Sequence, residues 1–507
     1  MVDTVRTASG DVSGFIDESA HVFLGVPYGA PPFGEHRFAA PAPPEPWDGV
    51  RDCLTYGPTA PQKDPVSTII PEPVERGEDI LNLNVFTPEL GDAKLPVFAW
   101  IHGGGFVSGC NRSPWYRGTR FARDGVVVVS IGYRLGVEGF LDLEGTLPNR
   151  AVLDWVAGLE WVQENISAFG GDPSNVTIGG QSAGSAACLV LAANPRAKGL
   201  FGRVVAMSGT SDTRMPRERL TELAGKMAAH LGVAPTRDGF ARFTPDELIE
   251  AHGSVGSNPF TADALGAAFD PRSPALKPFV DGEIVPEHPF RVIADGATLD
   301  IDLLTGATAN EINGVIHMNV DEEAAQQALA AMGLVGEKLD RYMTHTGAGN
   351  PVAALAQAAT DRAFRGNLAQ LLEDRARAAG RRPEAQEGSG GRTFGYEYKR
   401  PSPLFDGLPG AAHCLDIPFA FDNLDAERVE DGLIGPNPPQ ALADEMHGAW
   451  TRFIKTGDAG WPAYDAERRP VMVFDDGSRV VDRHLDLELE LFGRRGGAGG
   501  RPPQTKR

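Results

Sequence analysis

The stretch Val-Thr-Ile-Gly-Gly-Gln-Ser-Ala-Gly-Ser, residues 176–185, is the most informative part of this 507-residue chain. Apolar and β-branched residues lead into the motif Gly-x-Ser-x-Gly, and a helical stretch of small residues follows it. This order predicts a nucleophile elbow, a tight strand-to-helix turn that lifts one serine, here Ser182, above the edge of a sheet. Because such a turn strains the serine backbone, the residues two before and two after it must be small, as Gly180 and Gly184 are.

A second motif lies upstream, in the stretch Pro-Val-Phe-Ala-Trp-Ile-His-Gly-Gly-Gly-Phe, residues 96–106. It indicates a buried strand followed by an oxyanion loop, residues 102–106, whose glycine N–H groups can point into a site without hindrance from side chains. An acyl-transfer enzyme needs such donors where negative charge develops on the former carbonyl oxygen. We therefore expect an oxyanion hole formed by the N–H groups of Gly104, Gly105 and Ala183.

Apolar runs alternate with helical periodicity along much of the chain. Residues 126–131 form an almost continuous apolar run, which is typical of a parallel strand covered on both faces. Residues 152–168 have helical spacing, and the stretch 170–173 ends that helix before the elbow strand. Further strands are predicted at residues 83–86, 97–101, 203–207, 303–306 and 393–398. The alternation predicts an α/β fold with a mostly parallel sheet and helices on both faces.

We expect residues 1–493 to form a single domain, because no linker separates two independent cores. Amphipathic helices are predicted in two inserted segments, near residues 216–275 and 318–380, for example at 220–231 and 351–379. Insertions at the carboxyl ends of strands usually form the rim of a ligand crevice. The final stretch, residues 494–507, is basic and rich in Gly and Pro, and this composition predicts a disordered tail.

The composition argues against several classes of protein. A formal net charge of −21 makes nucleic acid or an anionic membrane an unfavourable partner. No stretch approaches 18 uninterrupted apolar residues, so no membrane-spanning helix is expected. The first residues lack the basic and apolar regions of a signal peptide, which predicts a cytoplasmic protein.

The chain has four cysteines, Cys53, Cys110, Cys188 and Cys414, and their spacing does not match a metal site. We expect them to be reduced, and we expect no metal or other cofactor. The sequence leaves the oligomeric state open and is compatible with a monomer.

A serine hydroxyl is a poor nucleophile unless a base removes its proton. In an elbow architecture the acid and then the histidine follow the serine along the chain, each on a loop after a late strand. His413 fits the base, because it follows the predicted strand at 393–398 in a loop with small neighbours. His230 and His447 lie in helical patterns and are interpreted as surface or packing residues.

The base must be oriented by a carboxylate. Glu311 lies just past the predicted strand at 303–306, which is the position expected for this acid. Asp300 and Asp302 compete by position alone, although they precede the strand or lie within it.

Several stretches resemble the type-B carboxylesterase family, which includes cholinesterases and bacterial para-nitrobenzyl esterases. They are residues 23–32, 78–85, 102–106 and 161–173. The resemblance implies an α/β-hydrolase fold, with inserted helical segments over the active-site crevice, and a serine esterase that forms an acyl-enzyme without a cofactor. It also implies that Ser182, Glu311 and His413 form the catalytic triad, with a glutamate as the acid.

The chain departs from the family pattern at several positions. Ile80 and Ala60 stand where secreted members have a disulfide pair, which agrees with a reducing compartment. Gln181 replaces the usual glutamate before the nucleophile, so a preference for small neutral esters over cationic esters is expected. Gln181 and the stretch 413–419 look more like bacterial members that cleave aryl carbamates. Carbamates or activated amides are therefore alternative substrates, whereas a non-catalytic binding protein is disfavoured because all three triad residues are present.

Overall fold

The apolar runs of the sequence form the central strands of one sheet in the computed structural model of the protein. The structure describes residues 3–63, 69–209, 216–255, 276–381 and 390–493. The predicted tail, residues 494–507, lies outside the described residues, and the single-domain organisation stays a prediction. The strands of the described residues are β1 (Asp3–Arg6), β2 (Asp11–Asp17), β3 (Ala20–Pro27), β4 (Val50–Asp52), β5 (Asn82–Thr87), β6 (Leu95–Ile101), β7 (Val127–Ile131), β8 (Gly171–Gln181), β9 (Arg203–Met207), β10 (Asp302–Thr308), β11 (Thr393–Tyr398), β12 (Pro470–Phe474) and β13 (Arg479–Asp482).

The strand order is β1-β2-β3-β5-β7-β6-β8-β9-β10-β11-β12-β13, with β4 beside β2. Neighbouring strands are parallel from β7 to β12. The outer strands on this path pair antiparallel on both sides. The mostly parallel α/β sheet predicted from the sequence is confirmed. The carboxyl ends of β6, β8, β10 and β11 therefore meet at one edge, the edge at which parallel sheets bind ligands.

Helices cover both faces of the sheet. Those of the described residues are α1 (Thr119–Arg123), α2 (Gly136–Phe140), α3 (Arg150–Asn165), α4 (Ala183–Ala192), α5 (Arg217–Leu231), α6 (Arg237–Phe240), α7 (Pro245–Val255), α8 (Pro289–Ala294), α9 (Asn313–Asn319), α10 (Glu322–Ala331), α11 (Glu337–Thr346), α12 (Pro351–Thr360), α13 (Gly366–Gly380), α14 (Ile417–Phe421), α15 (Gln440–Thr456) and α16 (Asp486–Phe492). Strand β6 shows why two layers are needed. Val97, Ala99 and Ile101 are buried in one core, whereas Phe98 and Trp100 are buried in the other.

The inserted helices are present with one difference from prediction. The helix expected over 351–379 is divided into α12 and α13 by a π-helical turn, Asp361–Arg365. Asp361 and Arg365 are buried at this turn and form an ion pair, which sequence periodicity did not reveal. No helix among the described ranges is long and apolar enough to cross a membrane.

Candidate active site

Ser182 lies in the turn between β8 and α4, at the carboxyl end of the strand. Its backbone angles, φ 56° and ψ −118°, are rarely adopted by residues other than glycine, and this is the strain expected of a nucleophile elbow. A Cβ on Gly184 would overlap the carbonyl oxygen of Ile101, and a Cβ on Gly180 would overlap the backbone of Gly184. The close approach of these backbones explains why both positions require glycine.

The oxyanion loop follows β6 and packs against the elbow, because a Cβ on Gly103 would lie 3.3 Å from Ser182 Cβ. Gly104 and Gly105 adopt φ values of 104° and 62°, which residues other than glycine rarely adopt. Within the described part of the chain, the N–H groups of Gly104 and Gly105 donate to no protein acceptor. The N–H of Ala183 lies in the first turn of α4, where the helix supplies no acceptor. These three donors are therefore free to bind negative charge beside the serine.

Buried side chains hold the oxyanion loop in place. The Tyr133 hydroxyl donates to the carbonyl oxygen of His102 at 3.0 Å, and the two rings stack with centroids 4.4 Å apart. Burial lowers the pKa of His102 to about 4, so its ring is neutral near pH 7, and Nδ1 lies 2.8 Å from the carbonyl oxygen of Gly103. The Gln62 amide bonds both the N–H and the carbonyl of Gly109, whose backbone packs against Gly103 of the loop. The loop is thus preorganised by neutral hydrogen bonds.

The structure brings Glu311 and His413 together at the same edge. Glu311 follows β10 and accepts a hydrogen bond from His413 Nδ1 through Oε2, while its Oε1 accepts from the N–H of Thr308 at 2.8 Å. The two loops also bond directly to each other. The N–H of Asn310 donates to the carbonyl of Ala411 at 3.0 Å, and the N–H of Ala411 donates to Asn310 Oδ1 at 3.0 Å. The carboxylate and the imidazole are therefore held as one unit.

The other ring nitrogen of His413 faces Gln181 in this structure. The amide nitrogen of Gln181 lies 3.2 Å from His413 Nε2. Because the amide N–H donates, Nε2 acts as the acceptor and Nδ1 carries the proton shared with Glu311, which is the tautomer that a general base needs. Among the described residues Ser182 Oγ makes no hydrogen bond to His413. Hydrogen bonds between nucleophile and base are often long in the absence of substrate and tighten only when it is bound.

Titratable groups beside Glu311 have shifted pKa values. Burial lowers the pKa of His413, but the charge of the Glu311 carboxylate and its hydrogen bond to Nδ1 raise it, and the pKa lies well above its ordinary value. Burial, assisted by the charge of Glu311, raises the pKa of Asp416 to about 7. The Tyr396 hydroxyl donates to Asp416 Oδ2 at 2.8 Å. Below about pH 7 Asp416 is mostly protonated, so it adds no second negative charge beside the candidate acid.

The other residues considered for the acid and the base lie away from the Glu311–His413 pair. Asp302 begins β10, at the opposite end from Glu311, and pairs with Arg203 at 3.6 Å. Asp300 is exposed. His230 is exposed on α5, and His447 is buried in α15, as the sequence patterns indicated.

A model of the carboxylesterase family matches residues 2–489 of the chain. The chain belongs to the carboxylesterase family. The para-nitrobenzyl esterase of Bacillus subtilis strain 168 is 34% identical, with 97% of this chain and 99% of that protein aligned. The phenmedipham hydrolase of Pseudarthrobacter oxydans is 33% identical, with 95% and 96% aligned. Among solved structures, a carboxylesterase from Geobacillus stearothermophilus superposes with a TM-score of 0.80 at 34% identity, covering 96% of this chain and 99% of that one.

The predictions of a carboxylesterase and of an α/β-hydrolase fold are therefore confirmed, and the protein is a serine-type carboxylic-ester hydrolase. In this carboxylesterase a cavity of about 50 Å³ adjoins Val107, which follows the oxyanion loop. Its wall is mainly apolar and includes Leu135, Val137, Leu248 and Leu276. Leu248 lies on α7, so the inserted segment contributes to the wall.

The sequence analysis missed residues of the carboxylesterase that hold the site in place. Asn310 is adjacent to Glu311, and the tendency of asparagine to bond nearby backbone groups could have indicated its role. Gln62 bonds Gly109, and Gln357 bonds Ala309, each more than 40 residues away along the chain. No local sequence signal predicts either of these contacts.

Proposed function

We propose that the protein hydrolyses small neutral carboxylic esters through an acyl-enzyme intermediate. Ser182 is the nucleophile, His413 is the general base, and Glu311 orients the imidazole. The observation that carries the proposal is the hydrogen bond between Glu311 and His413 Nδ1, located at the sheet edge that also bears the strained turn of Ser182.

The reaction begins when Ser182 Oγ attacks the carbonyl carbon while His413 Nε2 accepts the hydroxyl proton. The N–H groups of Gly104, Gly105 and Ala183 bind the oxyanion of the tetrahedral intermediate. The carbon–oxygen bond to the alcohol breaks as His413 returns the proton to the leaving oxygen. Water then attacks the acyl carbon and gives a proton to His413, which passes it to Ser182 Oγ as the carboxylic acid leaves.

The neutral substrate class is supported by the uncharged side chain of Gln181, which lies beside His413. The name of one relative, para-nitrobenzyl esterase, refers to an uncharged ester. Aryl carbamates are the second candidate, because Gln181 precedes the serine and the same acyl-transfer steps serve a carbamate. The buried free thiols of the described residues support a reducing, cytoplasmic location.

A substrate panel tests the proposed class. Aryl esters with acyl chains of increasing length, their aryl carbamate analogues, and a choline ester with its neutral isostere are compared by kcat/KM. We expect the highest values for short neutral esters. Carbamates with kcat/KM above that of every ester would favour the second candidate, and a preferred choline ester would contradict the neutral class.

A further inference from the structure

The side chain of Gln357, on α12, uses all of its hydrogen-bonding positions. Its two amide N–H groups donate to the carbonyl oxygen of Ala309 at 3.0 Å and to Asp361 Oδ1 at 2.9 Å. Its carbonyl oxygen accepts from Asn310 Nδ2 at 2.9 Å and from Asn313 Nδ2 at 3.1 Å. No isosteric side chain can replace this set, because glutamate cannot donate and methionine can neither donate nor accept strongly.

Three of these four partners flank Glu311 in the chain. Ala309 and Asn310 immediately precede it, and Asn313 begins the helix that follows. A neighbouring residue on the same helix reinforces this contact, because the Thr360 hydroxyl donates to Asn313 Oδ1 at 2.8 Å. Helix α12 therefore forms hydrogen bonds with the loop of Glu311 both before and after this residue in the chain.

The fourth partner connects Gln357 to a buried ion cluster. Asp361 accepts from the Tyr342 hydroxyl at 2.5 Å and pairs with Arg365. Arg365 in turn pairs with Glu397 of β11 at 2.7 Å and with Glu488 of α16 at 2.8 Å. All four side chains are at most 9% exposed, and a buried network whose members bond one another holds a fixed geometry.

We propose that Gln357 is a positioning residue for ester hydrolysis, which ties the loop of Glu311 to the buried ion cluster and so fixes the carboxylate that orients His413. The inference rests on the proposed function of these two residues. Gln357 acts through Glu311, because its hydrogen bonds are to residues that flank this carboxylate in the chain.

Loosening this loop has a specific chemical consequence. A carboxylate that is displaced from His413 Nδ1 orients the imidazole less well and stabilises the imidazolium less. The chemical step slows, whereas ground-state binding of an uncharged ester is unaffected. Because the imidazolium is less stabilised, the pH at which His413 becomes neutral falls, and the acidic limb of kcat/KM moves to lower pH. The titratable groups that face His413 are Glu311, Cys414 and Asp416, and the substitution leaves all three in place.

The test is Gln357→Met, with Gln370→Met as the matched control. Gln370 is also half-buried on an inserted helix and bonds an aspartate four residues on, Asp374, at 2.8 Å. For Gln357→Met we expect kcat to fall about tenfold with KM within twofold, since small displacements of catalytic groups cost one to two orders of magnitude. The acidic limb of kcat/KM should move to lower pH only in this variant. Equal kcat and pH profiles in the two variants would overturn the inference.

Two further measurements keep the result decisive. If Gln357→Met does not fold, Asn313→Ala removes one of the four bonds of Gln357 together with the bond from Thr360. A two- to threefold loss of kcat with the same direction of pH shift is then expected, and an unchanged profile would overturn the inference. Ser182→Ala distinguishes a failure of the positioning role of Gln357 from a failure of the proposed function. If Ser182→Ala is inactive and Gln357→Met behaves as wild type, the positioning role fails alone, whereas an active Ser182→Ala contradicts the proposed function itself.

Discussion

The amide nitrogen of Gln181 lies 3.2 Å from His413 Nε2, the atom that accepts the proton of Ser182 in the proposed mechanism. An amide donor at this position favours the neutral imidazole, because an imidazolium would direct its own N–H at the amide nitrogen. A carboxylate at the same position would accept that N–H and would add a negative charge beside the reacting carbonyl. The identity of residue 181 therefore affects both the protonation of the base and the preferred charge of the substrate.

Gln181→Glu should shift kcat/KM about tenfold toward a choline ester relative to its neutral isostere. Unit charges about 4 Å apart attract by roughly 4 kcal/mol at an effective dielectric near 20, and a third of that corresponds to about a factor of ten. Gln326→Glu, which adds the same charge at an exposed position, is the control. A wild-type enzyme that already prefers the choline ester would show that another group forms a cation site.

The kcat/KM of the wild type should rise with pH through a midpoint above 6.5, the ordinary value for histidine. Activity needs the neutral imidazole, and although burial lowers the pKa of His413, the interaction with the Glu311 carboxylate raises it overall. Glu311→Gln removes the carboxylate charge, so the midpoint should fall while kcat/KM drops by about 10²-fold or more. A midpoint that does not move in Glu311→Gln would show that this carboxylate does not set the protonation of the base.

Asp416→Asn should stabilise the fold at alkaline pH. The pKa of Asp416 is raised by burial, and further by Glu311, from 3.8 to about 7. A carboxyl group whose pKa is higher in the folded state contributes its full stabilisation to the fold below about pH 4. This contribution to the free energy of unfolding is lost as the pH rises from about 4 through about 7. The shift of about three units sets an upper bound of roughly 4 kcal/mol.

Thermal unfolding between pH 4 and pH 9 measures this effect. The Tm difference between Asp416→Asn and wild type should be small near pH 4 and positive at pH 8, because asparagine still accepts from Tyr396 without ionising. The exposed control Asp476→Asn should show no such slope. A lower Tm of Asp416→Asn at pH 8 contradicts the prediction.

The cysteines should be unreactive in the native enzyme and free after unfolding. All four are buried, and burial raises the pKa of Cys53 to about 11 and that of Cys110 to about 12, so little thiolate exists near pH 7. Thiol titration of the denatured, non-reduced chain should count four thiols. Two or fewer would reveal a disulfide and argue against a reducing compartment.

Much of the fold follows from local sequence. Strands β7 and β9 lie at the predicted apolar runs, because a parallel strand buried on both faces is mostly apolar. The elbow glycines were also predictable, since the need for small residues arises within one turn. Glu311 and His413 could be expected to meet because each follows a strand whose carboxyl end lies at the same edge, although their catalytic roles stay predictions.

The supporting contacts could not be predicted in the same way. Gln357 bonds Ala309, 48 residues earlier, and this contact depends on how an inserted helix packs against the loop. The π-helical turn at Asp361–Arg365 likewise depends on Glu397 and Glu488, which come from a distant strand and helix. Hydrophobic periodicity carries no information about such long-range polar partners.

The most direct test of the account is the site of a covalent adduct formed with an organophosphate or an aryl sulfonyl fluoride. Only an activated serine is expected to react, and the account predicts that peptide mass mapping places one adduct on Ser182, with complete loss of activity. Ser182→Ala should be inactive and unlabelled at an unchanged Tm. An adduct on Ser185 or Ser208, or near wild-type turnover by Ser182→Ala, would contradict the central claim.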